Sequence, residues 1–177
     1  MTQKTALAAL LLVPSFSFAA TVLSAPPELN NKSYVLMDYE TGQILASKNE
    51  NEKLPMASTT KILTALIAIE HGDLDKKVII SKKAASIRGS TVGYKANEEI
   101  TLRELTFGLM FKSGNDAAIA IAEEIGGSIE GFAEIMNHYA RGIGIFDSHF
   151  ESPHGLDSSG HYSSAYDLAI LTAKGMD

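Results

Sequence analysis

Apolar positions divide the first part of the chain into an N-terminal apolar run, a hairpin and a helix. The apolar run is 6–13, followed by Pro14 and small residues. Two segments, 34–38 and 43–47, flank Glu40-Thr41-Gly42, and this spacing predicts a β-hairpin. From Ser58 to His71 the apolar residues lie on almost every side, with Gly72 as a C-terminal stop. This segment is therefore predicted to be a buried helix.

The second half of the pattern predicts mainly helices. Residues 77–81 suggest a short strand, and 86–97 a loop or short ribbon. Thr101 and Glu104 form a Thr-x-x-Glu capping box that opens a helix to about residue 111. Two more helices are predicted at 115–125 and around 132–142, and Ser163 or Ser164 can cap a last helix through Leu171. Because a lone two-stranded hairpin is a marginal sheet, further structure should be needed to complete it.

Composition describes one ordinary globular domain and excludes several kinds of chemistry. The 177 residues are 45% hydrophobic and 20% charged, and the net charge is −6 without a basic stripe, which argues against nucleic-acid binding. Cysteine is absent, so disulfides, thiolate nucleophiles and lipidation of a mature N-terminal cysteine are excluded. The five histidines are scattered without a close helical pair. Neither a metal nor a cofactor is expected.

Residues 1–25 are predicted to be a secretory signal peptide and the start of the mature linker, because a basic residue, an apolar run and small residues follow one another in that order. Lys4 precedes the apolar run, which is too short to span a bilayer and is followed by Pro14. Small residues favour cleavage after Ala19, or alternatively after Ala25. Export to an extracytoplasmic compartment is therefore predicted, and 26–177 would be the folded domain.

The first candidate for catalysis is Ser58-Thr59-Thr60-Lys61. A hydroxyl and an amine three residues apart lie on one face of a helix, here predicted to begin at the serine. Free N–H groups at a helix N-terminus can stabilise an oxyanion next to Ser58. Lys61 could accept the hydroxyl proton if burial lowered its pKa from about 10.4 to about 7. The 17 serines and 12 lysines produce about one Ser-x-x-Lys by chance, so this motif alone is weak.

The second candidate is Ser113-Gly114-Asn115, at the junction between two predicted helices. The composition predicts only about 0.05 such triplets by chance. A serine at such a turn can pass a proton, and an asparagine carboxamide can bond both a substrate carbonyl and the lysine. The alternative interpretation is a simple helix break with an N-cap. The two motifs together are much stronger than either one.

With these motifs the chain resembles the low-molecular-weight penicillin-binding proteins of the peptidase S11 family, which are serine-type D-alanyl-D-alanine carboxypeptidases. The resemblance covers nearly all of the predicted mature chain and rests on four segments in order, namely 54–61, 113–118, 152–157 and 162–167. It implies an α/β (α+β) fold, the β-lactamase/transpeptidase-like domain.

The resemblance also implies roles for individual residues. Ser58 would be the acylated nucleophile, Lys61 its base, Ser113 a proton relay and Asn115 a contact for the substrate amide and the lysine. The substrate would be a peptidoglycan stem peptide ending in D-Ala-D-Ala, and β-lactams would acylate the same serine. His154 lies in a segment that resembles the family's structural turn, and no catalytic role is predicted for it.

One departure from the family concerns its third motif, Lys-Thr-Gly, which does not occur in these 177 residues. The family places it on a later strand that supplies an oxyanion donor and a cation for the substrate carboxylate. We therefore expect an N-terminal portion of the domain, a hairpin plus the helical part without the C-terminal strands, with impaired hydrolysis. Any membrane association would depend on a missing C-terminal part.

Two alternatives remain open. One is a non-catalytic remnant, or a module that binds penicillin or peptidoglycan without turnover. The other is a class A β-lactamase, but its Ser-Asp-Asn and Glu-x-x-Leu-Asn motifs are absent from the sequence.

Overall fold

The computed structural model describes residues 29–156 and 158–177, and the predicted signal peptide lies outside these ranges. A hairpin is followed by a helical body in which a second, small ribbon is inserted. The strands are β1 (Tyr34–Met37), β2 (Ile44–Lys48), β3 (Lys77–Ile79) and β4 (Glu99–Thr101). The helices are α1 (Thr60–His71), α2 (Lys82–Ala85), α3 (Leu102–Lys112), α4 (Asn115–Gly126), α5 (Ile129–Gly142) and α6 (Ala165–Lys174), and a 3₁₀ turn covers Ala57–Thr59.

Helix α1 is the centre of the fold, and α3, α4, α5 and α6 all pack against it. Its residues from Thr60 to Ala68 are buried except for Ile62, as the nearly uniform apolar pattern predicted. Fully buried side chains from several elements complete the core; they include Leu63, Ile67, Leu105, Leu109, Ile119, Ile121, Phe132 and Met136. Burial of these side chains is the main force holding the helices together.

The hairpin agrees with its prediction and remains two-stranded within the described ranges. β1 and β2 are antiparallel, with Tyr34 opposite Lys48 and an irregularity between Leu36 and Met37. Leu36 and Leu45 are each more than half exposed. Helix α6 packs against β1 and connects the hairpin to the helical body.

The short strand predicted at 77–81 is present as β3, but its partner β4 and the short helix α2 were not predicted. β4 pairs antiparallel with β3, with Val78 opposite Ile100. Helix α2 begins at Ser81, whose side chain accepts the N–H of Ala84, and it occupies residues placed outside any predicted helix. Both elements are three or four residues long, so neither carries a full period of a hydrophobic pattern. Pairing between distant segments and a local cap form them instead.

The boundaries of the longer helices agree with their signals in the sequence. Thr101 accepts the N–H of Glu104, and the Glu104 side chain returns to the Thr101 backbone, which confirms the predicted capping box. Ser164 caps α6 by accepting the N–H of Asp167. None of the helices in the described ranges is long and apolar enough to cross a membrane.

Candidate active site

Ser58 lies on an exposed turn immediately before α1. The helix was expected to begin at the serine, but the structure places Ser58 in the 3₁₀ turn and starts the α-helix at Thr60. The preceding residue, Ala57, has a positive φ of 47°. This left-handed conformation is costly for a residue with a Cβ and persists only where neighbouring contacts hold it. The turn thus presents the Ser58 side chain to solvent.

Lys61 lies directly beneath this turn, with only 3% of its surface exposed. Its Nζ donates to Ser58 Oγ at 3.1 Å and to the His154 carbonyl at 2.9 Å. No carboxylate forms an ion pair with it among the residues that the structure describes. Burial therefore lowers the pKa of Lys61 from 10.5 to about 8. A neutral fraction of the amine is accessible near neutral pH, at hydrogen-bonding distance from the serine hydroxyl.

The second motif lies at the predicted junction between α3 and α4. Ser113 ends α3 in a left-handed conformation, with φ 53° and ψ 40°, and Gly114 precedes the first turn of α4. Ser113 is half-buried, and its hydroxyl has no hydrogen-bond partner within the described part of the chain. This hydroxyl is thus free to rotate toward a bound group.

Asn115 does not make the expected contact with Lys61. Its carboxamide nitrogen donates to the Arg88 carbonyl at 2.8 Å, and its backbone N–H donates to the Ser90 carbonyl at 2.8 Å. The two hydrogen bonds of Lys61 go to Ser58 and His154 instead. Without a bound ligand Asn115 thus contacts the segment 88–90, and no pattern in the sequence indicated that this segment would lie against α4.

A buried carboxylate holds the segment that contacts Asn115. Asp116 is 2% exposed, and its two oxygens accept four backbone N–H groups at 2.8–3.2 Å. These donors belong to Val92, Gly93, Tyr94 and Ala117. A carboxylate that accepts several backbone N–H groups is well satisfied despite its burial. It fastens the irregular segment 88–94 to the start of α4.

The turn at 153–155 lies against α1 beside Lys61. The Pro153 carbonyl accepts Thr64 Oγ1 at 2.7 Å, and the next carbonyl, that of His154, accepts Lys61. Gly155 has φ +80°, and a Cβ at this position would lie 1.9 Å from the Ala57 carbonyl oxygen. Only glycine permits so close an approach.

His154 contributes its backbone to the site, and this contribution was missed by reasoning from side chains. Its ring Nδ1 accepts the N–H of Leu156, and burial, followed by the charge of Lys61, lowers the pKa of the ring to about 4. The ring is therefore neutral at physiological pH and adds no second charge beside Lys61. A backbone carbonyl has no signature in the sequence, although Pro153 and Gly155 do indicate a turn.

The sequence matches a known protein family over most of its length. Residues 20–177 match the peptidase S11 family, described as D-alanyl-D-alanine carboxypeptidase. The chain is similar to the D-alanyl-D-alanine carboxypeptidase DacF of Bacillus subtilis, with 46% identity over 145 residues, 79% of this chain and 37% of the relative. It is 40% identical to the D-alanyl-D-alanine carboxypeptidase DacD of Escherichia coli over 158 residues, 83% of this chain and 41% of the relative.

The fold is also that of solved members of the same group. The structure matches penicillin binding protein 6B from Escherichia coli with a TM-score of 0.81 and 39% identity, covering 86% of this chain and 51% of that one. The chain therefore belongs to the D-alanyl-D-alanine carboxypeptidase family, peptidase S11, and the predicted family and fold class are confirmed. It spans about two fifths of the length of the two curated relatives.

Proposed function

We propose that this chain carries the acylation site of a serine D,D-carboxypeptidase that removes the terminal D-alanine from peptidoglycan stem peptides. One observation carries the proposal. An exposed serine hydroxyl lies 3.1 Å from a buried lysine amine that has no carboxylate partner among the described residues. This pairing of a nucleophile with a base of lowered pKa supports nucleophilic catalysis. Family membership supplies the substrate class.

In the first step, neutral Lys61 accepts the proton of Ser58 Oγ as this oxygen attacks the carbonyl carbon of the penultimate D-alanine. The carbonyl oxygen becomes an oxyanion, for which the backbone N–H of Ser58, at the start of the 3₁₀ turn, is a suitable donor. The hydrogen bond from Lys61 to the His154 carbonyl keeps the amine in place during this transfer.

In the second step, the peptide bond breaks and the terminal D-alanine leaves with a proton on its nitrogen. The unpartnered hydroxyl of Ser113 is the proposed relay that passes this proton from Lys61. Asn115 is the proposed contact for the substrate amide. Water then hydrolyses the Ser58 ester, which releases the shortened peptide and restores the hydroxyl. A β-lactam would acylate Ser58 by the same attack, but its leaving group remains tethered.

Labelled penicillin tests the nucleophile in the full-length gene product. We expect one covalent adduct, located by peptide mass mapping to the segment containing Ser58, and its loss in Ser58→Ala. Ser47→Ala is the matched control, because Ser47 is exposed on β2 and its side chain makes no hydrogen bond in the described structure. An adduct that persists in Ser58→Ala would refute the assignment. Reversible binding without any adduct would favour the alternative of a non-catalytic binding module.

Release of D-alanine from a D-Ala-D-Ala peptide tests turnover. We expect the isolated 177-residue polypeptide to release it poorly, because the sequence contains no Lys-Thr-Gly, and loss of one oxyanion donor alone costs about two to three orders of magnitude in rate. A form extended through any downstream Lys-Thr-Gly codons is the comparison, at matched folded concentration. Equal turnover by the two forms would show that Ser58, Lys61, Ser113 and Asn115 suffice.

Export is proposed from residues 1–25. The basic, apolar and small-residue zones in that order support a cleaved signal peptide. The protein expressed with its own N-terminus in a bacterium should be extracytoplasmic and begin at Ala20 or Pro26. An intact Met1 on cytoplasmic protein would contradict export and the cell-wall substrate with it.

A further inference from the structure

A buried histidine lies behind the nucleophile turn and takes no part in the chemistry proposed above. His161 is 2% exposed, and its Nε2 lies 2.8 Å from Thr60 Oγ1, 101 residues earlier in the chain. Its other nitrogen, Nδ1, accepts the backbone N–H of Glu151 at 3.0 Å. Because Nδ1 is an acceptor, the ring proton is on Nε2. His161 therefore donates to Thr60.

The Thr60 hydroxyl connects His161 to the backbone of the nucleophile turn. Since its oxygen accepts from His161, its own proton is directed to the Ala57 carbonyl, 2.8 Å away. The chain of donors is thus directional, from Glu151 through His161 and Thr60 to Ala57. Such a chain is stronger than its separate bonds because each donor polarises the next.

Ala57 is the residue that needs to be held. It has φ 47°, and it directly precedes Ser58. A left-handed conformation is unfavourable for a residue with a Cβ, so a neighbouring contact has to offset it. The Thr60 hydroxyl donates to the carbonyl of this residue, and Gly155 packs closely against the same oxygen. Rotation at Ala57 would move the Ser58 hydroxyl relative to Lys61, which is fixed separately by His154.

We propose that His161 is a positioning residue that acts through Thr60 to hold Ala57 in its left-handed conformation, and so keeps Ser58 Oγ within reach of Lys61. This inference rests on the proposed acylation of Ser58. It predicts an effect on the bond-forming step and none on the binding of the ligand, because neither His161 nor Thr60 has an exposed surface to offer it.

The experiment measures penicillin acylation of the full-length gene product and separates the dissociation constant of the initial complex from the first-order acylation rate. Thr60→Val removes the hydroxyl and preserves the shape, whereas Thr60→Ser retains the hydroxyl. We expect Thr60→Val to lower the acylation rate at least about tenfold, since displacing a reacting atom by about 1 Å can cost a hundredfold. The dissociation constant and the pH midpoint of acylation should not change, and Thr60→Ser should restore most of the rate.

A double-mutant cycle assigns the effect to His161. His161→Phe keeps an aromatic ring, which the edge-on contact with Phe150 at 5.9 Å needs, but it cannot donate to Thr60. If both residues act in one chain, the double variant should be no slower than the slower single variant. His138→Gln, at an exposed position on α5, is the matched control and should acylate like the wild type.

Several outcomes would overturn the inference. These are an unchanged acylation rate in Thr60→Val, a Thr60→Ser variant as slow as Thr60→Val, or additive losses in the double variant. If His161→Phe does not fold, the same cycle is run with His161→Leu, which likewise cannot donate to Thr60. A wild-type protein that forms no adduct would instead refute the proposed function itself, so the two failures are distinguishable.

Discussion

The acylation rate of Ser58 should rise about tenfold between pH 7 and pH 9. Lys61 must be neutral to accept the serine proton, and its pKa is lowered by burial from 10.5 to about 8. At a pKa of 8, about 9% of the amine is neutral at pH 7 and about 91% at pH 9. With the ordinary pKa, the neutral fraction at pH 7 would be about 0.03%. Burial thus raises the concentration of the neutral amine, the proposed base, at pH 7 by roughly 300-fold.

The assay is the initial rate of covalent attachment of a labelled penicillin, measured by intact mass at subsaturating concentration from pH 6 to 10. The rate should follow a single ionisation with its midpoint near 8. Hydrolysis of the free penicillin at each pH is measured separately and subtracted. Lys61→Arg retains the charge but cannot be deprotonated in this role, so it should abolish labelling at every pH. A flat profile between pH 7 and 9, or substantial labelling of Lys61→Arg, would refute Lys61 as the base.

The lowered pKa of Lys61 also makes the stability of the protein depend on pH. Because the folded pKa lies below the unfolded value of 10.5, the unfolded chain binds more protons between pH 8 and pH 10.5. The free energy of unfolding should therefore rise across this window, by up to about 3 kcal/mol. Lys61→Met should remove this dependence and stabilise the protein at pH 7, while it abolishes acylation. A Lys61→Met protein less stable than the wild type at pH 7 would show that the two lysine hydrogen bonds outweigh the burial of the charge.

Three further predictions concern the frame around the site, each measured as a free energy of unfolding. Gly155→Ala should lower the free energy of unfolding by more than about 3 kcal/mol, or prevent folding, because its Cβ would lie 1.9 Å from the Ala57 carbonyl oxygen. Gly142 has open space around it, so the control Gly142→Ala should be neutral or stabilising. His154 has its pKa lowered to about 4 by burial, so the protein should lose up to about 3 kcal/mol as the pH falls from 6.5 to 4, and His154→Gln should lose less. Thr101→Ala removes a helix cap and should cost about 1 kcal/mol; no measurable loss would contradict the capping energy.

The sequence by itself determined most of the helical architecture. Local signals were sufficient there, because a capping box such as Thr101 with Glu104 and an apolar pattern such as that of α1 act within a few residues. The spacing of Ser58 and Lys61 was equally local, since residues three apart face each other on a helix. The structure confirms that these two side chains are hydrogen-bonded.

Only the tertiary structure decided the surroundings of these residues. Burial lowers the pKa of Lys61, and this burial depends on packing between segments far apart in the chain. The hydrogen bonds of Lys61 to the His154 carbonyl and of Asn115 to the Arg88 carbonyl also connect distant segments. The pairing of β3 with β4 and the contact of His161 with Thr60 have the same origin. Every residue has a backbone carbonyl, so the sequence does not indicate which carbonyl will bind a side chain. The left-handed conformation of Ala57 is opposite to the preference of alanine. Such features arise when packed elements impose a conformation that no local pattern encodes.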